Sequence, residues 1–348
     1  MKKTILFLFL FALTCKVNLF AKDSDTLCVG TYNLENLFDT VDDPQKDDEE
    51  FLPSGSNAWT QERLNQKLYN LSRVIKAMND SRGPDILGVC EVEHQSLLDT
   101  LTRVYLNDKY YKVAYLESPD NRGIDNGLIY NADKFSLVSI KGDTVRLSDG
   151  YPTRLVLEVT LELRNSFGLA DNKITFFENH WPSRRGGEEE SEKNRVAAAE
   201  TAKRAVDSLL KINPEARIVL MGDFNDEPAN ASIIGTLGAA PLECSEGEKI
   251  NDKSPVLFNA AYNKFKDGEG SYKYRDDWNM LDQIIVSKVF LTDEHFKYLC
   301  DSFIVFKPDF AITKSGKYAG TSIPTYGGKT YLGGFSDHFP VNAKFIIK

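Results

Sequence analysis

Histidine, tryptophan and cysteine are scarce in this chain, with 4, 3 and 5 copies in 348 residues. None of the cysteines stands in the close pairs of a zinc ribbon or a redox motif, so both are excluded. No uninterrupted apolar run reaches the ~20 residues of a membrane-spanning helix. No internal repeat of roughly 20 to 50 residues is present, which sets aside solenoids and propellers. Positive charge is also short, 42 Lys and Arg against 51 Asp and Glu, for a net charge of -9. Proteins that hold nucleic acid by charge alone are basic, so phosphate recognition by this chain must rest on metal or on local arginines.

What is present is a globular composition, 42% hydrophobic, preceded by a leader-like segment. Residues 1–21 open with Lys2 and Lys3, run apolar over 5–13 and reach Ala21 before a polar stretch, the pattern of a signal peptide. Export to the periplasm or the exterior is expected, with residues 22–348 as a single domain, monomeric and without a stable protein partner. Lipidation at Cys15 is a minor alternative, because Thr14 stands where a lipobox carries Gly or Ala. Export permits disulfides, and Cys244 with Cys300 is the pair to test first; Cys28 and Cys90 lie in apolar runs and read as buried thiols.

Strand-length runs rich in Val, Ile and aromatics recur at 27–32, 86–90, 110–116, 127–130, 155–163, 174–177, 218–221, 284–286 and 303–306. Helical spacing separates some of them: Leu64, Leu68, Leu71, Ile75 and Met78 predict a helix over 61–78, and 97–106 and 189–210 read similarly. Mixed strands with face-covering helices predict a layered α/β architecture, helices outside two packed sheets. The acidic stretch 39–55 reads as a solvated loop, with Ca²⁺ conceivable but without EF-hand spacing.

The chemistry-bearing residues collect at strand ends. Asn33 follows the first strand, where it serves as a turn former or orients a phosphate oxygen or metal-bound water. Glu91 ends the run 86–90, and a carboxylate so placed needs a cation or a basic partner. Glu93 would share its face if the strand continued. His180 stands at a strand exit before Pro182, followed by Arg184 and Arg185 on a Gly-rich loop suited to bidentate phosphate contact. Gly222-Asp223-Phe224-Asn225 follows four apolar residues and is the most specific segment, with Asp223 placed to orient water and Asn225 to hold a phosphoryl oxygen. Asp282 begins a strand, as a structural carboxylate or as the partner of His338; His338 so paired makes a general base, and Asp337 beside it could reach a metal. Mg²⁺ takes one or two carboxylates with waters and phosphate oxygens, which suits this set.

Taken in order, Tyr-Asn33-Leu, Cys-Glu91-Val, Asn-His180-Trp, Gly-Asp223-Phe-Asn225, Leu-Asp282-Gln and Ser-Asp337-His338 resemble the motifs of the endonuclease/exonuclease/phosphatase superfamily over about residues 26–347. The resemblance implies a deoxyribonuclease I-like four-layered αββα sandwich with its site at one edge. It implies Mg²⁺ or Mn²⁺ held by Glu91 with Asn33 and Asp337, water and phosphate positioned by Asp223 and Asn225, His338 oriented by Asp282, and His180 on the transition state or leaving group. Whether His338 or Asp223 takes the water's proton stays open. Leu281 and Gln283 depart from the Arg and Tyr that often flank the Asp282 position, which loosens the substrate assignment. Arg122 and Asp125 lie where such proteins present substrate loops, or form a simple turn. The implied reaction is phosphodiester hydrolysis, nucleic acid favoured as substrate. A phosphatase or phospholipase C-like activity and a non-catalytic binding module are the alternatives.

Overall fold

The computed structural model describes residues 25–164, 172–242, 251 and 253–348. The leader-like segment with Cys15, and Cys244, lie outside the described residues. In chain order, β1 (Asp25–Leu37), β2 (Ile86–Val92), β3 (Tyr111–Tyr115) and β4 (Asp125–Asn131) belong to one sheet. A second sheet takes β5 (Phe135–Asp143), β6 (Val156–Leu163), β7 (Lys173–His180), β8 (Ile218–Asp223), β9 (Ala239–Pro241) and β10 (Leu257–Asn259). The short β11 (Tyr272–Tyr274) and β12 (Asp277–Asn279) pair with each other, and β13 (Asp282–Ser287) returns to the second sheet. β14 (Phe296–Tyr298) and β15 (Ile304–Val305) rejoin the first sheet, β16 (Tyr326–Gly327) and β17 (Thr330–Tyr331) form a small hairpin, and β18 (Val341–Ile347) closes the first sheet beside β1.

Alternation along the strands builds the layers. Leu27 and Val29 of β1, Leu157, Val159 and Leu161 of β6, Val219 and Met221 of β8, Ile284 and Val286 of β13, and Val341, Ala343 and Phe345 of β18 form one apolar layer between the sheets. The intervening residues face outward onto helices. Tyr32, Leu34, Leu87 and Val89 pack against Leu64, Leu68, Leu71 and Ile75 of α1 (Gln61–Ser81) and against Leu97 and Leu98 of α2 (Gln95–Thr100). Phe177, Leu220 and Ile285 pack against Ala198, Ala199, Ala202 and Val206 of α3 (Glu188–Ile212). The four layers are therefore helix, sheet, sheet, helix.

Several elements differ from the periodicity reading, which marked no strand at the short β9 to β12, β14, β16 or β17. The 97–106 helix divides, α2 giving way at Leu101–Tyr105 to a wider turn. β5 was invisible because it is an edge strand whose Leu137 and Val138 are 41% and 46% exposed, without a buried alternation to betray it. Cys28 and Cys90 are buried and free, while Cys300 is disulfide-bonded.

One carboxyl interrupts the apolar layer between the sheets. Glu178 of β7 is 1% exposed, accepts a hydrogen bond from Thr31 Oγ1 at 2.8 Å and faces Gly88, whose missing side chain makes room for it. Burial pushes its pKa well above the ordinary value, which favours the neutral acid in the folded protein. The folded protein then binds a proton that the unfolded chain releases, and the carboxyl lowers stability as pH rises through the unfolded-state value. Glu178→Gln, which cannot ionise, is expected to gain thermal stability relative to the parent as pH rises from about 4 to about 7. A difference independent of pH in melting experiments would show that Glu178 is charged inside the fold.

Candidate active site

The site forms where β1, β2, β7, β8 and β13 end together. Asp223 lies opposite His180 on one side and opposite Asp282 on the other, because β8 pairs parallel with β7 and antiparallel with β13. Along β7 and β8, His180 and Asp223 share the alternation of the residues facing the first sheet, so their side chains point into the space between the sheets.

Glu91 reaches the same space by a different device. On β2, Leu87 and Val89 face the helices, and an unbroken strand would send Glu91 that way too. Instead, Glu91 has φ 63° and the register with β4 shifts between Cys90 and Val92. The extra residue turns the carboxylate toward the second sheet and returns Val92 to the helix side, as a β-bulge does. β1 shifts likewise between Asn33 and Leu37, with Glu35 and Asn36 both at φ 52°. That turn aims the Asn36 N–H at Glu91 Oε2, 2.9 Å away.

Asn33 ties the two sheets together. Its Nδ2 donates to Glu91 Oε1 at 3.2 Å and to Asp223 Oδ2 at 3.1 Å, and its Oδ1 accepts from the Glu35 N–H at 2.9 Å. Asp223 Oδ2 also lies 3.9 Å from His180 Nε2 and 3.9 Å from His338 Nε2. Both gaps exceed a direct hydrogen bond, and both suit a bridging water or phosphate oxygen. Asp223 Oδ1 accepts from the Asn225 N–H at 2.9 Å.

The two imidazoles sit in opposite electrostatic surroundings. His338 Nδ1 is 2.7 Å from Asp282 Oδ2, which also accepts from Ser271 Oγ at 2.6 Å. Burial opposes a charge there, but the Asp282 and Asp337 carboxylates outweigh it and hold His338 well above its ordinary pKa. Tyr272 stacks on the ring, with centroids 4.6 Å apart. His180 is pushed well below its ordinary value by burial and by Arg154, Arg122 and His338. The Arg154 guanidinium supports this strand end, donating to the carbonyls of His180 at 3.2 Å and Trp181 at 2.6 Å and pairing with Asp120 at 3.1 Å.

The carboxylates are crowded. Burial, then the Asp282 and Glu91 charges, raise Asp223 to about 6 against the pull of His338. Burial, Glu35 and Glu91 likewise raise Asp337 to about 7 against His338 and Lys67. Asp282 Oδ1 is buried and finds no hydrogen-bond partner among the described residues. Surplus anionic oxygen around Glu91, Asp223 and Asp337 is the donor chemistry of a hard divalent cation, so these residues fit Mg²⁺ or Mn²⁺.

The loop carrying Asp337 and His338 is fixed from behind by α1. Lys67 Nζ is buried and donates to Thr325 Oγ1 and the Phe335 carbonyl, both at 2.6 Å, and lies 3.3 Å from Glu35 Oε2. Asn70 Nδ2 donates to the carbonyls of Gly333 at 2.9 Å and Gly334 at 2.7 Å.

Other expected positions have different surroundings. Asp125 is 1% exposed, accepts from Tyr115 Oη at 2.5 Å and from the Ser118 N–H at 2.7 Å, and is spent inside the first sheet rather than offered to a substrate. Arg184 is bound to the Asn225 carbonyl at 2.9 Å and to Asn230 at 3.1 Å, bracing the turn after β8. Asn225 Nδ2 donates to the Trp181 carbonyl at 2.9 Å, which fixes that same turn. Arg185 is exposed, and Arg122, 48% exposed, lies 3.6 Å from Asp120. Glu93 turns away from Glu91 and gathers with Asp39 and His94, their ligand atoms all within 4.8 Å of one another at the start of the acidic loop. Ser271, Tyr272, Lys67 and Arg154 escaped the sequence reading because each acts through a long-range contact that no local pattern marks.

A family model described as the endonuclease/exonuclease/phosphatase family matches residues 28–346. The chain belongs to this family. Its members are hydrolases of phosphoester bonds, and the two-sheet sandwich is their deoxyribonuclease I-like fold. Among solved structures, a family protein from Bacteroides thetaiotaomicron is 17% identical with a TM-score of 0.57, covering 93% of this chain and 99% of its own. A mannosyl-6-phosphatase of the same organism is 16% identical, TM-score 0.54, covering 92% and 100%. A D. rerio TDP2 complexed with single strand DNA product is 14% identical, TM-score 0.54, covering 92% and 98%. At these identities the likeness concerns the fold. No curated protein matches the chain.

Proposed function

We propose that this chain is an exported, divalent-metal-dependent phosphodiesterase acting on nucleic acid. The observation that carries the reading is Asp223 Oδ2, placed 3.9 Å from each of the His180 and His338 imidazoles and 3.1 Å from the Asn33 amide. A hydrolytic water set between these groups would be oriented by Asp223, which accepts its proton. His338, whose pKa the Asp282 and Asp337 carboxylates raise, would then donate to a phosphate oxygen as negative charge builds there. His180 supplies a second hydrogen bond at the same centre. Glu91 and Asp337, with Asn33 beside them, would hold Mg²⁺ or Mn²⁺. Such an ion would supply Lewis-acid charge stabilisation to the phosphoester.

The export half of the proposal rests on residues 1–21, and fractionation of expressing cells tests it. The catalytic half is tested by hydrolysis of bis(p-nitrophenyl) phosphate, DNA and RNA with Mg²⁺ or Mn²⁺. EDTA is expected to abolish all three activities and added metal to restore them. Cleavage that persists in EDTA would overturn the metal dependence, and turnover confined to phosphomonoesters or lipid headgroups would reassign the substrate.

A further inference from the structure

Beside the catalytic cluster lies a cleft of about 710 Å³, within the range of sites that enclose a nucleotide-sized ligand. Asp337 and Glu35 are among its lining residues, so it borders the cluster. Its walls carry Tyr272, Lys273, Lys314, Tyr318 and Leu332. Tyr272 is the ring that stacks on His338, so the aromatic wall continues the catalytic imidazole. Tyr318 is 62% exposed and Leu332 50% exposed, apolar surface that the fold itself leaves uncovered. Among the described residues, Lys314 pairs with the exposed Asp309, 3.5 Å away.

The outer wall comes from one stretch of unusual composition. Residues 311–336 contain no Asp or Glu, in a chain whose net charge is -9, and of them Lys314, Tyr318 and Tyr326 line the cleft. Cationic groups interleaved with aromatic rings bind unpaired nucleotides, the rings stacking on bases while the cations meet the backbone. A base in a duplex offers no free face to such a wall, whereas an unpaired one does. Part of this segment is anchored, Lys67 and Asn70 holding it at Thr325, Gly333, Gly334 and Phe335.

From this placement we infer that the cleft is the binding site for an unpaired nucleotide flanking the scissile phosphate, and that the substrate is single-stranded nucleic acid. The inference rests on the phosphodiesterase reading but is separable from it by a binding measurement. In EDTA, where metal-dependent hydrolysis stops, fluorescence anisotropy of the full chain with a short fluorescein-labelled single-stranded oligodeoxythymidylate reads the cleft alone. Binding is expected to weaken about tenfold in Tyr318→Ala, the loss of one stacked base, and further in Tyr318→Ala combined with Lys314→Ala. Added salt should weaken it as well. A duplex of similar length should bind about tenfold more weakly than the single strand. Equal affinity for duplex and single strand, unchanged affinity in both variants with intact melting curves, or displacement of the probe by glucose 6-phosphate or lipid vesicles would each overturn the inference. Absence of hydrolysis in Mg²⁺ with binding preserved would instead overturn the catalytic reading. On substrates, Tyr318→Ala should lower kcat/KM for the oligonucleotide about tenfold more than for bis(p-nitrophenyl) phosphate. Equal losses on both would place Tyr318 outside substrate recognition.

Discussion

Asp223→Ala is expected to lower phosphodiester turnover by about a hundredfold or more, the usual consequence of removing a positioned group that handles the proton of the attacking water. The expectation follows from geometry: one carboxylate oxygen serves Asn33 Nδ2 at 3.1 Å and lies 3.9 Å from each of two imidazoles. The loss should fall on kcat. Stability should move little or rise, because the native carboxyl is buried and held up at about 6 by desolvation and neighbouring charge. Active sites commonly carry strain of this kind, and relieving it separates a chemical defect from a folding one. Asp223→Asn, similar in shape but without the charge, should show most of the same loss. Steady-state rates on bis(p-nitrophenyl) phosphate in Mg²⁺, beside melting curves, check both statements. A folded Asp223→Ala protein turning over within a few-fold of the parent would remove Asp223 from the mechanism.

Gly222→Ala, one residue earlier, is expected to act on the fold. Gly222 has φ 130°, and an added Cβ would lie 2.0 Å from the Asn179 carbonyl oxygen and 2.7 Å from the Asn179 nitrogen. Both obstacles are backbone of the paired strand β7, in register with Gly222, so no side-chain rotation relieves them. Steric strain and an unfavourable backbone angle together should cost about 3 kcal/mol or more. Since Asp223 and His180 are the next pair along that ladder, whatever shift accommodates the methyl group should displace them and lower activity too. Gly235→Ala meets nothing within 4 Å and is the control. Denaturant unfolding of the two variants tests the difference, and a Gly222→Ala protein as stable as the Gly235→Ala protein would contradict this account.

The residues at strand ends were legible because chemistry there interrupts an otherwise apolar run. The layer each strand faces was legible too, as in β6, where Leu157, Val159 and Leu161 alternate with Glu158, Thr160 and Glu162. The face to which Glu91 points was not. Counting by twos along β2 sends it to the helices, and only the bulge at φ 63° reverses it, a conformation with no composition signal at a non-glycine residue. Asp125 misled for the complementary reason: a turn-rich surrounding suggests a surface loop, whereas Tyr115 and Ser118, 10 and 7 residues earlier, draw the carboxylate inside. The cleft was equally hidden, since its walls meet the site only through long-range pairing. Its composition was visible in advance, as a lysine- and tyrosine-bearing stretch free of acidic residues over 311–336.

Asn33 and Glu91 come from the first sheet and His180, Asp223 and Asp282 from the second, so each half-site is chemically incomplete. Turnover is then a gauge of how firmly the two sheets are clasped. Under mild denaturant, a slight parting of the sandwich would silence the enzyme while its far-ultraviolet circular dichroism still reported intact strands and helices.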